Sequence, residues 1–284
     1  MKFDCIVLNS PYQKNVGESS NTEPLWNKFI EKSFELLKDD GYLCTVHPSG
    51  WRNIEGKFEN IKELLTSKEM EYLEIHNEKD GMDTFGAETR YDWYVLKNCK
   101  KIKTTKIKFQ DGVTSTIDFS GIPMIPNGNI ELFKSLLAKE GDEKIQILHS
   151  YSAYARRKEF MSENNTDVFK YPCIYTVNSE SNPTLRYSNT KSNGHFGIPK
   201  VIWSNGRISS IGNYVDKMGE YGLTEFAYAI VDDVENLENI KKALDSKEYK
   251  NLMEDLAVGM LTVNHKILKH FKKDFWKQFV DETV

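Results

Sequence analysis

The segment Asn9-Ser10-Pro11-Tyr12 directly follows an apolar stretch, residues 3–8, and its side chains suit one kind of chemistry. The side-chain carbonyl of Asn9 and the backbone carbonyl of Ser10 can converge on one point and together accept two hydrogen bonds from a planar amino group. Holding both protons leaves the nitrogen lone pair free for in-line attack on an electrophilic methyl group. The ring of Tyr12 offers a face on which a heterocycle can stack. The alternative interpretation is an ordinary β-turn.

Strands and helices alternate in the first half of the chain. Residues 3–8 form an unbroken apolar run, which predicts a buried parallel strand that ends at the turn. Such alternation is typical of an α/β sheet with crossover helices, and these sheets bind ligands at the carboxyl ends of their strands. Residues 77–90, with Gly81 and Gly86, are expected to form a polar loop. The other strands predicted are residues 42–47, 70–76 and 91–97, and the predicted helices are residues 24–37 and 58–65.

The second half has a different texture, with short strands rich in Tyr, Ser, Asn and Gly. A hairpin is expected around Asp111-Gly112, because an Asp-Gly pair favours a tight turn between strands. The Pro- and Gly-containing segment 122–128 predicts a division near residue 125, into regions 1–125 and 126–284. The remaining predicted strands are residues 173–177, 184–187, 201–204 and 226–231, and the predicted helices are residues 130–138, 237–256 and 263–280.

The composition excludes several classes of protein. Hydrophobic residues make up 39% and charged residues 28% of the 284 residues, which is a globular balance and argues against a disordered chain. No apolar run approaches the roughly 18 residues needed to cross a bilayer, and no secretory signal precedes residue 10, so a cytoplasmic protein without a membrane partner is expected. The net charge of −4 does not indicate nucleic-acid binding, although a local basic stripe suffices for it.

The cysteines do not suggest a metal site. All four are far apart, with no Cys-x-x-Cys pair and no Cys/His cluster, so neither a zinc site nor a disulfide framework is expected. Cys5 and Cys44 lie inside apolar runs, where a free cysteine behaves as a small core residue. No bound metal is therefore predicted.

Three segments in order resemble a known enzyme family. Residues 3–12 are similar to motif IV of amino-group methyltransferases that use S-adenosylmethionine, usually written Asn/Asp-Pro-Pro-Tyr/Phe. Residues 36–51 resemble the helix–glycine–strand–Pro–Trp segment of adenine-specific DNA methyltransferases of restriction–modification systems. Residues 85–97 resemble the later segment of these enzymes, in which an aromatic residue precedes a strand. The ordered resemblance covers about residues 1–98.

The resemblance implies an α/β fold and a set of site residues. Region 1–125 would be the C-terminal half of a methyltransferase catalytic domain, with a partial Rossmann-like sheet, and region 126–284 an α+β DNA-recognition region. The implied activity is site-specific methylation of adenine in double-stranded DNA, with base flipping and with S-adenosylmethionine as methyl donor. The implied catalytic residues are Asn9, Ser10, Pro11, Tyr12 and Phe85, of which Phe85 would supply the second stacking surface for the flipped adenine.

Two departures from the family pattern matter. Serine occupies position 10 where the family usually has proline, but the implied role belongs to a backbone carbonyl, which serine also has. The second departure concerns the methyl donor, because the glycine-rich turn and acidic residue that hold it in the family come earlier in sequence. Residues 194–197 and 210–212 are poor substitutes for that turn. The chain is therefore expected to hold the substrate-amine half of the site and to lack most of the cofactor half. Three alternatives remain open: a fragment, one product of a split gene, or a subunit that a second chain carrying the cofactor-binding half completes.

Basic residues in the second region are candidates for DNA contacts, because they lie among Tyr and Asn residues suited to polar readout. For the run 156–158 the alternative is a solvated surface, and for Lys200 and Arg207 it is an exposed strand. The candidate DNA-binding residues are Arg156, Arg157, Lys158, Arg186, Lys200 and Arg207.

Two other functions remain open at this stage. RNA bases and protein glutamine side chains also present planar amino groups to a turn of this kind, although the large second region favours duplex DNA. A non-catalytic DNA-specificity subunit is the alternative outside enzymes, and the missing glycine-rich turn favours it. Methyl transfer to duplex DNA, measured with and without a partner chain, distinguishes these functions.

Overall fold

The computed structural model of the chain describes residues 2–15, 22–259 and 263–280. Its contacts divide the chain into two units. The first comprises Met1–Ile130 and Val258–Met260, and the second comprises Glu131–Ala257 and Leu261–Val284. The division thus follows Ile130, whereas the sequence placed it near residue 125. Within the described residues, no helix has the length and apolarity that a bilayer crossing requires.

A six-stranded sheet forms the centre of the first unit, in the strand order β1-β4-β6-β5-β7-β8. Two further short strands, β2 and β3, pair antiparallel with each other. The elements are β1 (Phe3–Asn9), β2 (Gln13–Asn15), β3 (Thr22–Pro24), α1 (Trp26–Leu36), β4 (Leu37–Pro48), α2 (Glu59–Thr66), β5 (Lys68–His76), α3 (Glu78–Phe85), β6 (Tyr91–Lys100), β7 (Thr105–Lys108) and β8 (Thr114–Ile117), with a 3₁₀ turn at Ser49–Arg52.

The direction of the strands confirms the α/β class. Strand β1 pairs parallel with β4 and is joined to it through α1, while β5 pairs parallel with β7. Such a parallel connection through a helix is the unit from which Rossmann-like sheets are built. Strand β6 runs antiparallel between β4 and β5, so the sheet is mixed. Strands β7 and β8 form the antiparallel hairpin expected around Asp111-Gly112.

The two faces of this sheet differ in burial. Along β4, Leu43 and Thr45 are buried on one face, whereas Cys44 and Val46 are half-buried on the other. Val7 pairs with Cys44 and continues the second face onto β1, where its side chain is 81% exposed. We call the surface formed by Cys5, Val7, Cys44 and Val46 the open face.

The exposure of β1 corrects two expectations. A fully buried first strand is wrong, because β1 is an edge strand and β4 is its only ladder partner among the described residues. The interpretation of Cys5 as a core residue is wrong for the same reason, since its side chain is exposed. An unbroken apolar run indicates a strand built for burial on both faces, but the run alone does not supply the covering element.

Helix α3 replaces the polar loop expected between β5 and β6. The side chain of Asn77 accepts a hydrogen bond from the backbone N–H of Asp80 at 3.0 Å and so caps the amino end of the helix. The carboxyl end lies at Gly86, whose φ of 68° is in the left-handed region that glycine adopts readily. Capping residues at both ends therefore define this helix, although it lacks an apolar stripe in sequence.

A buried arginine connects distant parts of the first unit. The Nε of Arg52 donates to Asp92 Oδ2 at 2.8 Å, and both side chains are fully buried. Its other nitrogens donate to the carbonyl of Ile125 and to Asn127 Oδ1, each at 2.8 Å. The indole of Trp51 donates to the same carboxylate oxygen at 2.8 Å. This cluster ties the 3₁₀ turn after β4 to β6 and to the segment that ends the unit.

The second unit is an α+β structure with two four-stranded sheets, in the orders β10-β12-β11-β15 and β14-β13-β16-β9. Ile174, Ile202 and Leu223 are fully buried in a common core cluster. The elements are α4 (Ile130–Leu136), β9 (Gln146–His149), β10 (Met161–Ser162), β11 (Tyr171–Val177), β12 (Pro183–Ser188), β13 (Lys200–Ser204), β14 (Asn213–Asp216), β15 (Gly222–Leu223), β16 (Ala227–Val231), α5 (Leu237–Asp245), α6 (Lys247–Asp255) and α7 (His265–Leu268).

Two helices near the end of the chain differ from expectation. The helix predicted at residues 237–256 is divided at Ser246, whose side chain accepts a hydrogen bond from Tyr249 N and starts α6. The helix predicted at residues 263–280 is wrong beyond α7. Phe271 instead forms an isolated antiparallel bridge with Leu137, and a 3₁₀ turn follows at Phe275–Phe279. Tertiary pairing therefore overrides the helical spacing of the aromatic residues.

His47 is a titratable residue in the core of the first unit. Its side chain is fully buried, its Nε2 lies 3.0 Å from the Tyr94 hydroxyl, and its ring stacks on Trp26 at 4.4 Å. Burial disfavours the charged imidazolium and lowers the pKa of His47 from 6.5 to about 4. These contacts give His47 a structural role in the core.

We expect the free energy of unfolding to fall on acidification, because the unfolded chain binds a proton at His47 that the folded chain excludes between pH 6.5 and 4. The loss from this group is about 3 kcal/mol between pH 7 and pH 4. Urea denaturation at several pH values measures it. The variant His47→Gln should be less stable at pH 7 and should lose less stability over this window, so an unchanged pH slope in the variant would contradict the assignment.

Candidate functional site

The Asn9–Tyr12 turn leaves the sheet at the carboxyl end of β1. Asn9 is the last residue of the strand and pairs with Val46 of β4, which runs in the same direction. The backbone carbonyl of Tyr12 accepts a hydrogen bond from Leu25 N at 3.0 Å, just before α1 begins. The turn is thus fixed at both ends, and it lies where parallel sheets bind ligands.

One cavity of about 960 Å³ brings the predicted catalytic residues together. Its size lies at the upper end of the range usual for small-molecule sites. The Asn9 side chain is exposed and accessible from solvent, whereas Ser10 is only 3% exposed. The lining residues are Asn9, Ser10, Pro11, Tyr12, Gln13, Thr22, Pro24, Trp26, Pro48, Lys57, Phe58, Phe85, Ala87 and Thr89.

The rings of Tyr12 and Phe85 meet across this cavity. Their centroids are 5.9 Å apart, with an angle of 71° between the ring planes. A base held between two parallel rings needs a separation of about 7 Å, twice a normal carbon contact distance. Phe85 is 37% exposed, so its ring has room to turn when a base enters. In the present edge-to-face contact the two rings are therefore too close together to hold a base between them.

The Tyr12 hydroxyl remains a neutral donor. It is buried and has no hydrogen-bond partner among the described residues. Burial, with a smaller contribution from nearby Tyr91, raises the pKa of Tyr12 to about 12. At neutral pH the Tyr12 side chain is therefore uncharged, and its buried O–H group is an unused hydrogen-bond donor. An incoming polar group can satisfy it.

The sequence did not identify the aromatic residues on another side of the cavity. Phe58 packs against Trp26 with their centroids 4.6 Å apart, and Trp26 is 2% exposed. Lys57 is the one charged residue among the lining residues described. Trp26 and Phe58 lie in the helices predicted at residues 24–37 and 58–65, but the helical pattern gave them no role in a site. Pro48 lies in the segment that resembles the family, and Lys57 carries no recognisable pattern.

The lining residues suit a flat base with an amino group better than they suit a nucleoside cofactor. Two carbonyls and two aromatic rings match the base. Among the described lining residues there is no aspartate or glutamate to accept hydrogen bonds from ribose hydroxyls, and no glycine where a backbone could approach a ligand closely. These residues therefore do not form a pocket for S-adenosylmethionine. The described residues also include no group of three His, Cys, Asp or Glu side chains arranged to hold a metal ion.

The basic candidates in the second unit have different surroundings. Arg156, Arg157, Lys158 and Arg207 are exposed. The guanidinium of Arg186 lies 4.6 Å from the centre of the Tyr175 ring and forms an ion pair with Glu163 at 2.8 Å.

Two of these arginines meet at Tyr175. Arg156 Nη1 lies 3.4 Å from the Tyr175 hydroxyl, on the same tyrosine that Arg186 covers. Both guanidinium groups therefore contact one aromatic side chain of the sheet that contains β11 and β12, and the charge of Arg186 is paired with Glu163. We call Arg156, Tyr175 and Arg186 the arginine cluster.

Lys200 is wrong as a DNA contact. Its side chain is fully buried, and its ammonium donates to Asp216 Oδ2 at 2.8 Å and to the carbonyl of Ile198 at 3.0 Å. Burial lowers the pKa of this lysine, while the Asp216 carboxylate opposes that shift. The ion pair joins β13 to β14 across 16 residues of sequence, and so it was not visible as a pair in the sequence.

The comparison with protein families gives one match. Residues 1–81 match the family model described as Eco57I restriction-modification methylase. The match confirms the predicted resemblance to restriction–modification methylases for this part of the chain, which includes the Asn9–Tyr12 turn but ends before Phe85. A search of curated proteins found no match.

Solved structures of restriction–modification proteins share limited similarity. The type IIL restriction-modification enzyme MmeI in complex with DNA is 10% identical, with 87% of this chain and 41% of that chain covered and a TM-score of 0.48. The type IIG restriction endonuclease BpuSI is 10% identical, with 97% and 48% covered and a TM-score of 0.41. The type I restriction enzyme EcoKI M protein is 12% identical, with 51% and 36% covered and a TM-score of 0.30. The chain thus spans less than half the length of each.

Proposed function

We propose that this chain is part of a site-specific DNA methyltransferase of a restriction–modification system, which transfers a methyl group from S-adenosylmethionine to the exocyclic amino group of adenine. The observation that carries the proposal is the meeting of Asn9, Ser10, Tyr12 and Phe85 in one cavity at the carboxyl end of a parallel strand. The Eco57I methylase match over residues 1–81 supports the reaction class.

The chain's own residues bind and orient the base. The Oδ1 atom of Asn9 and the carbonyl of Ser10 accept the two N–H bonds of the adenine amino group, which keeps its lone pair available. The rings of Tyr12 and Phe85 stack on the base after it leaves the duplex, and this contact offsets part of the cost of unstacking. When bound, S-adenosylmethionine supplies the electrophilic methyl group. The amino nitrogen then loses one proton, for which the exposed Asn9 leaves a route to water.

The second unit is proposed to contact duplex DNA. In the arginine cluster, Arg156 is exposed, and Arg186 would exchange its ion pair with Glu163 for a DNA contact. Guanidinium groups suit phosphate oxygens or the edge of a guanine. Arg157, Lys158 and Arg207 are exposed and can add phosphate contacts. This assignment makes the second unit the part that selects the DNA sequence.

We further propose that a second polypeptide supplies the site for the methyl donor and covers the open face. Val7 is 81% exposed on the edge strand β1, and Phe3 is 39% exposed. An apolar edge strand of this kind readily accepts a further strand. A strand added parallel to β1 would end beside Asn9, where the donor must approach the amino group. This arrangement supports a partner with its own α/β structure.

The thiols of the open face allow a test of that partner. Cys5 is exposed and Cys44 is half-buried, whereas Cys173 in the second unit is buried. We expect iodoacetamide to modify Cys5 readily in the isolated chain, and S-adenosylmethionine to bind tightly only after the donor-binding polypeptide is added. That polypeptide should protect Cys5 and Cys44. Stoichiometric binding of S-adenosylmethionine to the isolated chain would contradict the proposal.

Methyl transfer itself tests the proposed function. Tritiated S-adenosylmethionine is incubated with the chain and its donor-binding partner, and with duplex DNA, duplex RNA or a glutamine-containing peptide. We expect label in DNA alone, recovered as N6-methyladenine after digestion and mass spectrometry. Label in RNA or peptide would assign another amino substrate, and DNA binding without transfer under all conditions would indicate a specificity subunit.

A further inference from the structure

Phe85 is held by one side chain that is not itself part of the cavity lining. Its ring contacts Tyr12 on one side and Tyr91 on the other, with centroids 4.9 Å apart and ring planes at 82° in the second contact. Tyr91 is 5% exposed, whereas Phe85 is 37% exposed. The more exposed ring of the pair therefore rests on a buried one.

Tyr91 is itself fixed on its other face. The imidazole of His76 stacks on it, with centroids 4.4 Å apart and an angle of only 4° between the planes. The two residues are also direct ladder partners of β5 and β6. The Tyr91 hydroxyl lies 3.4 Å from Thr84 Oγ1, on the last turn of α3. Tyr91 thus has little freedom to rotate away from Phe85.

Helix α3 closes this arrangement because its residues contact the strands that carry His76 and Tyr91. The Asp80 carboxylate accepts a hydrogen bond from His76 Nδ1. Glu78 Oε1 accepts one from Arg90 Nε at 2.6 Å. A Cβ atom added at Gly81 would lie 2.0 Å from the Thr89 carbonyl oxygen, so the helix backbone packs directly on the segment before β6. The end of the helix, and Phe85 with it, is therefore fixed relative to Tyr91.

We propose that Tyr91, clamped by His76, is a positioning residue that keeps the Phe85 ring over the base when the base displaces Tyr12 from contact with Phe85. An adenine that enters the cavity must break the edge-to-face contact between Tyr12 and Phe85. Tyr91 does not line the cavity, so the contact between Phe85 and Tyr91 persists when the base enters. The Phe85 ring then turns while it remains packed on the fixed ring of Tyr91. The inference rests on the proposed stacking roles of Tyr12 and Phe85.

Single-stranded DNA that contains 2-aminopurine tests the inference without a methyl donor. A 12-nucleotide strand with one central 2-aminopurine is titrated into the full chain, and both affinity and the change in 2-aminopurine emission are recorded. We expect Tyr91→Leu, which remains apolar but lacks the ring, to bind about tenfold more weakly and to lose most of the emission change. The conservative variant Tyr91→Phe should retain both.

A second pair of variants avoids the buried core. The side chain of Asp80 is 45% exposed and that of Asp83 is 61% exposed, and both belong to α3. Asp80→Ala removes the acceptor of His76 Nδ1 and leaves Glu74 at 3.4 Å from His76 Nε2, so it should weaken binding about threefold with a smaller emission change. Asp83→Ala removes an acid that pairs with Lys79 and should behave as wild type. Circular dichroism melts of each variant establish that it is folded.

The outcomes separate two failures. If Tyr12→Ala and Phe85→Ala both keep the wild-type emission change, the proposed function itself fails, because the rings do not stack on the base. If these two variants lose the change but folded Tyr91→Leu and Asp80→Ala retain it, Phe85 is positioned without Tyr91 and the inference is overturned. Loss in Tyr91→Phe as well as in Tyr91→Leu would also overturn it, because the hydroxyl and not the ring would then be responsible.

Discussion

Replacing Asn9 by alanine is expected to lower kcat for methyl transfer by about 10²–10³-fold, the usual effect of removing one preorganised hydrogen-bonding group that acts on the reacting centre. The side chain is exposed at the carboxyl end of β1 and lines the cavity, so its loss should leave the fold intact. The amino group would then keep one acceptor, the carbonyl of Ser10, and its lone pair would no longer be held in line with the methyl donor. Steady-state transfer of labelled methyl groups to duplex DNA, with the donor-binding partner present, measures the effect.

Ser10→Ala is the matched control for this substitution. Ser10 is buried and its hydroxyl has no hydrogen-bond partner among the described residues, but the role assigned to it belongs to the backbone carbonyl. Removing the hydroxyl should therefore leave kcat close to that of the wild type. Asn9→Asp keeps an acceptor oxygen and should retain more activity than Asn9→Ala. A Ser10→Ala variant as damaged as Asn9→Ala, or an undamaged Asn9→Ala variant, would contradict the assignment.

The largest effect on stability is expected from Arg52→Met. The substitution leaves the Asp92 carboxylate fully buried without its cation, and it removes the donors to Ile125 and Asn127. Breaking a buried ion pair from one side typically costs about 3–5 kcal/mol in the free energy of unfolding. Urea denaturation followed by tryptophan fluorescence is suitable, because Trp51 donates to the same carboxylate.

A double-mutant cycle separates the pair from its surroundings. Asp92→Asn keeps an acceptor for the Trp51 indole but removes the charge, so Arg52→Met with Asp92→Asn should cost clearly less than the sum of the single variants. The exposed pair of Lys79 and Asp83 offers a surface control, and Lys79→Met should leave stability nearly unchanged. Strict additivity of the two buried substitutions would show that the ion pair is not the source of the loss.

The position of the candidate site could be predicted from local sequence. An apolar strand followed by Asn9-Ser10-Pro11-Tyr12 identifies a turn at the end of a sheet strand, and the structure has β1 parallel to β4 there. The apolar run and the turn residues after it are local signals, so they identify the strand and its end. The pairing of β1 with β4, which places Asn9 beside Val46, is a long-range contact that these signals do not specify. The resemblance to a family then added Phe85, which no local rule could have connected to residues 9–12.

Burial was harder to predict, because it depends on what covers an element. The run 3–8 has the composition of a strand buried on both faces, yet Val7 is 81% exposed. Lys200 shows the opposite error: a lysine in a polar region is ordinarily exposed, but Asp216 lies next to it only after β13 and β14 pair. Neither fact is encoded within a window of ten residues.

Helix prediction failed where caps or tertiary bridges decide the structure. Helix α3 contains Gly81 and few apolar residues, so its periodicity is weak, while Asn77 and Gly86 define its ends. The segment 263–280 has the reverse properties, with well-spaced aromatic residues but a bridge from Phe271 to Leu137 that interrupts the helix. Periodicity indicates which side chains would share one face of a helix. It does not indicate whether the same backbone will instead pair with another segment of the chain.

A crystal structure of the chain with a short duplex that contains one extrahelical adenine tests the central claim most directly. The account predicts the adenine ring between Tyr12 and Phe85, with its amino nitrogen about 3 Å from both Asn9 Oδ1 and the Ser10 carbonyl oxygen. An adenine bound outside this cavity, or bound within it with the amino group directed away from Asn9, would contradict the account.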